Sequence, residues 1–164
     1  MAIVSAICNS FKEEILQGGH CLNASGSTAA GNTIKLALYS SNSATLSKST
    51  TVYAAPADAS ADPTSTYEVT TTSSGYTGGG NTLTNIDVTL DSDTAGCDFA
   101  DTSWTSASFT ARGCLLYNTT AITGFTTNRS VIVINFGGDK TVTSGTFTIE
   151  FPAAAASTAI IQLA

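Results

Sequence analysis

Apolar and polar positions alternate with a period of two in the last third of the chain. Between Thr146 and Phe151 the polar residues alternate with an apolar set, namely Phe147, Ile149 and Phe151. This pattern is typical of a strand with one face packed on a core and one face in water. We therefore predict strands at Ser130–Phe136 and Thr146–Phe151, joined by a loop at Gly137–Gly145, with the three apolar side chains buried.

The N-terminus shows a different period. Ile3, Ile7, Phe11 and Ile15 recur every four residues, which predicts an amphipathic helix of three to four turns. Gly18-Gly19 would end it in a left-handed cap, and Phe11 would anchor it. We assign residues 1–19 to this helix, packed either on the sheet or on a partner subunit, and residues 20–164 to a single β-sandwich domain.

Further strands follow from the same alternation. We predict them at Ile34–Tyr39, Tyr67–Thr72, Ile86–Leu90, Trp104–Thr110, Cys114–Tyr117 and Ala159–Leu163, the last at a sheet edge. Trp104–Thr110 and Cys114–Tyr117 are either separate strands or one strand bent at Arg112-Gly113.

Three segments between these strands read as irregular. The composition of Ser40–Asp62 predicts a long connection with a short helical turn near Leu46. We also predict a glycine-rich loop at Gly75–Asn81 and an acidic loop at Asp91–Asp101. Short strands separated by turn signals predict a mainly β fold: an antiparallel, jelly-roll-like β-sandwich with one N-terminal amphipathic α-helix.

The charge distribution argues against a nucleic-acid partner. Only 11% of the residues are charged, and the formal net charge is −6. A duplex-binding surface needs clustered cations. Here the six cations are scattered singly, at Lys12, Lys35, Lys48, Arg112, Arg129 and Lys140.

The first residues predict neither a secretory signal nor a membrane span, because no basic segment precedes the apolar residues and Asn9, Ser10 and Lys12 interrupt them. We expect a protein made in a cytoplasm, where thiols stay reduced. No C-x-x-C pair occurs, so we interpret the four cysteines as buried free thiols: Cys8, Cys21, Cys97 and Cys114.

One segment imitates the start of a calcium-binding loop. Asp91-Ser92-Asp93-Thr94-Ala95-Gly96 has carboxylates at positions one and three and glycine at position six, and Asp98 and Asp101 follow. Ala95 has no ligand atom, however, and Thr102 stands where a bidentate glutamate belongs. We interpret the segment as an acidic turn and predict no metal site.

No catalytic set emerges from the candidate residues. His20 is the only histidine, precedes Cys21, and lacks a G-x-S-x-G elbow, so we place it in favourable contact with the helix dipole. Gly75–Gly80 lacks the Lys-Ser or Lys-Thr of a phosphate cradle. Glu68 and Glu150 stay open as a glycosidase-type pair. We predict a non-enzyme with no catalytic residue and no cofactor.

An aromatic platform for sugars is a further possibility. Its candidate residues are Trp104, Tyr67, Tyr76 and Tyr117. Strict alternation puts Trp104 and Phe109 on opposite faces, so one of them is exposed unless a bulge intervenes. A core position is the alternative, because tryptophan is common in β cores.

Several segments together resemble small virion proteins of tailed bacteriophages, including phages of cyanobacteria and marine bacteria. They are Asn9–Gly18 with His20, Ile34–Tyr39, Gly75–Gly79, Phe109–Gly113 with Tyr117-Asn118, and Phe136–Lys140 with Phe151-Pro152. The similarity spans nearly the whole chain, and Ser40–Asp62 is its variable part.

The resemblance implies a structural component of the virion. Such β-rich proteins serve as capsid cement or decoration proteins, which sit as homotrimers between capsomers. The partners would be other virion proteins, above all the major capsid protein, with no nucleic acid and no membrane. Two alternatives stay open: a component of the tail, neck or baseplate, and a module that binds host glycans.

Overall fold

The protein is mainly β, as the sequence predicts. The computed structural model describes residues 2–24, 31–40, 44–54, 67–71, 74–152, 155 and 157–164, with only the backbone of Asp87. The described residues contain one helix, α1 (Asn9–Leu16), and eight strands: β1 (Ala6–Ile7), β2 (Ile34–Tyr39), β3 (Asn81–Thr82), β4 (Asn85–Asp91), β5 (Thr94–Phe99), β6 (Thr102–Asn118), β7 (Arg129–Ile149) and β8 (Ile161–Leu163).

The strands form two antiparallel sheets, consistent with the predicted sandwich. One sheet has the order β1-β7-β6-β2-β3, and the other has the order β4-β5-β8. The hairpin of β6 and β7 dominates the larger sheet, and β8 is an edge strand of the smaller one. Strands β2, β4 and β8 lie where the alternation predicts them.

The helix is shorter than predicted. It begins at Asn9, whereas Ala6 and Ile7 pair with Val133 and Ile132 of β7. The predicted first turns are extended because backbone N–H groups of this segment bond to other segments, Val4 to Leu46 O at 2.9 Å. The predicted C-terminal cap is confirmed: Gly18 has φ +78°, and the Gly19 amide donates to Glu14 O at 2.7 Å.

The predicted loop Gly137–Gly145 is wrong, because β7 continues through it. Residues 136–139 bulge out opposite Arg112, between the pairs Gly113–Asn135 and Ala111–Lys140. Gly137, at φ +75°, allows the chain to leave the ladder there. After this bulge β7 pairs with β6 again to Ile149, which makes a two-stranded ribbon of residues 102–111 and 140–149.

Three further predictions need correction. Tyr67–Thr72 is not a strand in its described part, where only Glu68 makes a bridge, to Tyr39. The acidic loop contains β5, which pairs with β4 across a turn at Ser92-Asp93 and buries Gly96–Phe99. In place of a short helical turn near Leu46, which is itself buried, the chain has a single hydrogen-bonded turn at Ser47–Thr50, where the Thr50 amide donates to Ser47 O at 3.0 Å; the remainder of the predicted connection lies largely outside the described residues.

The bend predicted at Arg112-Gly113 lies within one continuous strand, β6. The hydrophobic core includes Phe11, Tyr39, Phe99, Leu115 and Tyr117. Phe147, Ile149 and Phe151 pack against this core but stay half-buried, so the predicted face is confirmed while full burial is not.

Candidate functional site

Glu68 lies at the centre of a buried cluster of tyrosines. Its Oε1 accepts hydrogen bonds from Tyr76 OH at 2.7 Å and from the Gly79 amide at 2.6 Å. Its Oε2 accepts one from Tyr53 OH at 2.9 Å. Tyr117 OH donates to Gly79 O at 2.8 Å, and its ring stacks on Tyr53 with centroids 4.2 Å apart.

This cluster holds the glycine-rich loop against the sheet. Burial, reinforced by the Glu68 carboxylate, raises the pKa of Tyr53, Tyr76 and Tyr117, so all three phenols stay protonated donors. Gly79 has φ +82°, and a Cβ there would lie 2.9 Å from Tyr117 Oη. Glu68 is therefore committed to internal hydrogen bonds, while Glu150 is exposed at the far end of β7.

His20 lies in a second buried polar cluster. Its Nε2 is 2.8 Å from Glu14 Oε2, and its Nδ1 is 3.0 Å from Asn118 Nδ2. The same Asn118 amide group donates to Asn32 Oδ1 at 2.8 Å, while Asn118 Oδ1 accepts from the Thr120 amide. These contacts fix the tautomer: Nδ1 accepts a hydrogen bond from the Asn118 amide group, and Nε2–H donates one to Glu14.

Arg129 extends this cluster through the core. Its side chain is fully enclosed, donates to Gly19 O at 2.7 Å and lies 3.5 Å from Glu14 Oε2. It also stacks over Phe125, with Cζ 5.4 Å from the ring centroid. Burial lowers the pKa of Arg129, and the Glu14 carboxylate opposes this effect. The buried guanidinium is paired, as a buried charge must be.

The His20 cluster ties four chain segments together but presents no free base. Burial lowers the pKa of His20, and the hydrogen bond to Glu14 opposes part of that shift. Both ring nitrogens are engaged, and the ring packs on Phe11 with centroids 4.8 Å apart. The predicted contact with the helix dipole needs correction: His20 lies just past the helix end, but its ring bonds to the Glu14 and Asn118 side chains. Sequence reasoning missed Asn32, Asn118 and Arg129, which only folding brings to His20.

The carboxylates of the calcium-like segment diverge. Asp91 and Asp93 are exposed around the β4–β5 turn, whereas Asp98 is buried in β5. Asp98 Oδ1 accepts a hydrogen bond from the backbone amide of the next residue, Phe99, and burial raises the pKa of this carboxyl group. Asp101 Oδ1 accepts from the Phe151 amide. Within the described residues no cluster of three or more His, Cys, Asp or Glu side chains could hold a metal ion.

All four cysteines are free thiols, and three of the four are buried as predicted. Cys8, Cys97 and Cys114 are buried, and Cys21 is half-buried. Burial raises the pKa of Cys8 and of Cys97 to about 12 and raises that of Cys114 as well. The three buried thiols therefore stay protonated at neutral pH and act as small apolar groups.

The aromatic residues do not form an exposed platform. Trp104, Tyr76 and Tyr117 are buried, and Tyr67 is half-buried. Trp104 and Phe109 lie on the same inner face, with ring centroids 6.4 Å apart. Irregular pairing between Trp104 and Phe109 shifts the alternation, so the bulge foreseen as the alternative is present.

The outer face of the β6–β7 ribbon carries hydroxyl groups and no charge. Its side chains alternate with the inner residues, and Ser103 lies opposite Thr148 and Thr110 opposite Thr141. The Thr110 and Thr141 hydroxyls are 2.8 Å apart. We call this surface the hydroxyl face; it comprises Ser103, Thr105, Ser108, Thr110, Thr141, Thr143, Thr146 and Thr148.

Two apolar grooves lie elsewhere on the surface. One of about 530 Å³ follows the inner side of β7 and is lined by Phe136, Phe147 and Phe151, with Lys140 and Glu150 at its rim. The other, of about 340 Å³, lies between the end of α1 and the smaller sheet, where Val88 and Leu163 are exposed. His20, Cys21 and Cys97 line this second groove, but both ring nitrogens of His20 are engaged by Glu14 and Asn118.

Comparison of the chain with protein-family models, curated proteins and solved structures gives no match. No helix among the described residues is long and apolar enough to cross a membrane.

Proposed function

We propose that this protein is a non-enzymatic structural component of a bacteriophage virion, and that it acts as a capsid cement protein between neighbouring capsomers. The observation that carries the proposal is the hydroxyl face, an extended and uncharged surface on a two-stranded ribbon. Such a face offers many modest hydrogen bonds and no isolated charge that would have to be desolvated on docking.

The internal hydrogen bonds of the candidate catalytic groups also support a structural role. Glu68 and His20 are the acid–base candidates nearest the core, and both are enclosed and hydrogen-bonded internally. A general base must reach a substrate proton through a free lone pair. These two groups instead fix the glycine-rich loop and the helix end, as a durable particle component requires.

A symmetric oligomer would multiply the weak contacts. After one subunit of an oligomer docks on the shell, the others bind at high effective concentration. The homotrimer expected from the resemblance would use the hydroxyl face in this way, with the major capsid protein as its partner.

The test is binding to particles that lack this protein. We expect the purified chain to bind such shells and to raise the temperature at which they release the genome. Thr105→Lys/Thr141→Lys should abolish binding, because both changes put uncompensated charge on the hydroxyl face. Thr123→Lys/Thr127→Lys adds the same charge at the exposed β6–β7 connection and should bind normally.

Imaging of intact particles provides an independent check. Density for the chain at threefold positions between capsomers supports the cement role. Density only at the tail, neck or baseplate would replace it with the alternative position, and equal binding by both lysine variants would show that the hydroxyl face is not the docking surface.

A further inference from the structure

One edge of the large sheet is open. Strand β1 covers β7 only at Ile132 and Val133, whereas β6 covers the other side of β7 as far as Ile149. Along Lys140–Ile149 the described part of the chain supplies no strand on the outer side. Ten residues at about 3.3 Å each leave roughly 33 Å of unpaired edge.

This edge lacks most of the usual protection against pairing. Exposed edges are commonly guarded by charges, by proline, by short length or by bulges, and of these only a bulge is present on this edge. Between Lys140 and Glu150 there is neither a charge nor a proline, and the residues are mainly threonine, valine, phenylalanine and isoleucine, which favour strands. The segment has the composition of a strand that meets another strand.

The bulge in β7 selects the partner. Thr143 and Ser144 together face the single residue Ser108, between the pairs Phe109–Val142 and Ala107–Gly145. Because of this extra residue, the inward-facing side chains occupy even-numbered positions before the bulge, such as Val142, and odd-numbered positions after it, such as Phe147. A regular strand on the outer edge would match the two faces of β7 on only one side of the bulge.

A strand with the same extra residue matches on both sides, and a second copy of β7 is such a strand. We propose that the outer edges of β7 from two copies of this chain pair antiparallel about a two-fold axis between Ser144 and Gly145. The register follows from the faces. Thr141 lies opposite Thr148 of the second copy, Val142 opposite its Phe147, and Thr143 opposite its Thr146.

Both faces gain from this register. The hydroxyl faces of the two copies join into one surface, with threonine opposite threonine in two rows. On the inner side Val142 and Phe147, half-buried in the single chain, cover each other beside the groove lined by Phe136 and Phe151. Aromatic and β-branched residues are favourable cross-strand neighbours.

The charges at the ends of the paired segment are compatible with it. Lys140 lies opposite Ile149 of the second copy and one residue from its Glu150, which places opposite charges near each other. Asp139, in the bulge, and Glu150, after the end of β7, lie outside the paired segment, and Asp139 already faces Arg112, with Arg112 Nη1 3.5 Å from its Oδ1. The paired residues between these ends carry no charge.

The contact is isologous, because the same edge serves on both sides. It is independent of the proposed virion role. If the chain is otherwise a monomer, this contact makes it a dimer. If it is otherwise a trimer, the contact joins two trimers into a hexamer. In either case the loss of the contact halves the molar mass.

The experiment measures molar mass by sedimentation and light scattering over a concentration series. Thr143→Lys/Thr146→Lys sets lysine opposite lysine of the second copy and should halve the mass of the wild type. Thr143→Lys/Thr146→Glu sets lysine opposite glutamate at the same exposed positions and should restore it. Thermal unfolding shows whether each variant is folded.

Cross-linking tests the register without lysine variants. In a Cys21→Ser background, a mixture of Thr143→Cys and Thr146→Cys chains should form a disulfide-linked pair, whereas a mixture of Thr143→Cys and Thr148→Cys should not. A wild type that is monomeric at every concentration overturns the proposal. So does an oligomer whose mass the lysine pair leaves unchanged, or one that pairs this edge only with a different protein.

Discussion

Asn118 donates a hydrogen bond from Nδ2 to Nδ1 of His20 over 3.0 Å, although 98 residues separate the two in sequence. The bond requires an unprotonated Nδ1, because the same amide group also donates to Asn32. The stability of the fold is thereby linked to the protonation of one imidazole.

Acid should destabilise the protein through His20. Burial lowers the pKa of His20 in the folded state, whereas the unfolded side chain titrates near 6.5. Below that pH the unfolded chain binds a proton that the folded chain does not bind. This contribution to stability is therefore complete above about pH 6.5 and is lost as the pH falls. Glu14 and Arg129 are the charged groups that face the ring.

The measurement is chemical unfolding of the wild type and of His20→Gln between pH 7.5 and pH 5. The unfolding free energy of the wild type should fall more steeply, by up to about 1.4 kcal/mol per pH unit for one proton. His20→Gln should lack this component. Equal slopes for the two proteins would contradict the link.

Truncation of Glu68 should be costly. Glu68→Ala leaves Tyr53 OH, Tyr76 OH and the Gly79 amide without their acceptor, and each buried unpaired donor costs about 1–3 kcal/mol. Glu150→Ala is the matched control at an exposed carboxylate and should change stability by less than about 0.5 kcal/mol. Similar effects of the two changes in urea unfolding would refute the assigned role of Glu68.

The loss of unfolding free energy in three alanine variants should follow the burial of the side chain that is removed. Phe11 is fully buried, so Phe11→Ala should cost about 3–5 kcal/mol. Phe147→Ala should cost clearly less, because Phe147 is half-buried beside the groove. Thr148→Ala, on the exposed face, should be nearly silent. Equal losses for Phe147 and Thr148 in unfolding titrations would mean that the register of β7 is wrong.

Calcium should leave the melting temperature unchanged. Asp91 and Asp93 are exposed at a turn, and Asp98 and Asp101 bond to backbone amides, so the four carboxylates do not share a cavity. A ligand raises the melting temperature only by binding the native state preferentially. Melting curves in millimolar calcium and in chelator should coincide; a rise abolished by Asp93→Ala would identify a metal site.

The single tryptophan should behave as a core residue. Trp104 is buried among Tyr76, Phe109 and Phe147. We expect blue-shifted emission, weak quenching by acrylamide, and no glycan-dependent change on an array of host sugars. Specific quenching of Trp104 by a glycan would favour the sugar-binding alternative.

The local sequence pattern was sufficient to predict those elements that depend only on neighbouring residues. Strand β2 at Ile34–Tyr39 and the left-handed cap at Gly18 are both found as predicted. These features depend on neighbouring residues, through side-chain alternation and the conformational freedom of glycine. The apolar face of Phe147, Ile149 and Phe151 follows from the same rule.

Errors arose where long-range pairing competes with a local signal. Glycine and polar residues at Gly137–Gly145 are typical of a loop, but β6 offers a partner that keeps the segment in the ladder after one bulge. Ile3 and Ile7 fit a helical period, yet β7 and Leu46 take the backbone hydrogen bonds of this segment. Local propensity cannot weigh these distant partners.

By itself the sequence determined the fold class, because side-chain period and turn residues act over a few positions. Only the tertiary structure decided which polar groups meet. Asn118 and Arg129 reach the His20–Glu14 pair, and three donors converge on Glu68, because antiparallel pairing and packing of the glycine-rich loop bring remote segments together. The open edge of β7 likewise exists only because β1 ends after two pairs, a fact of sheet order that no local pattern contains.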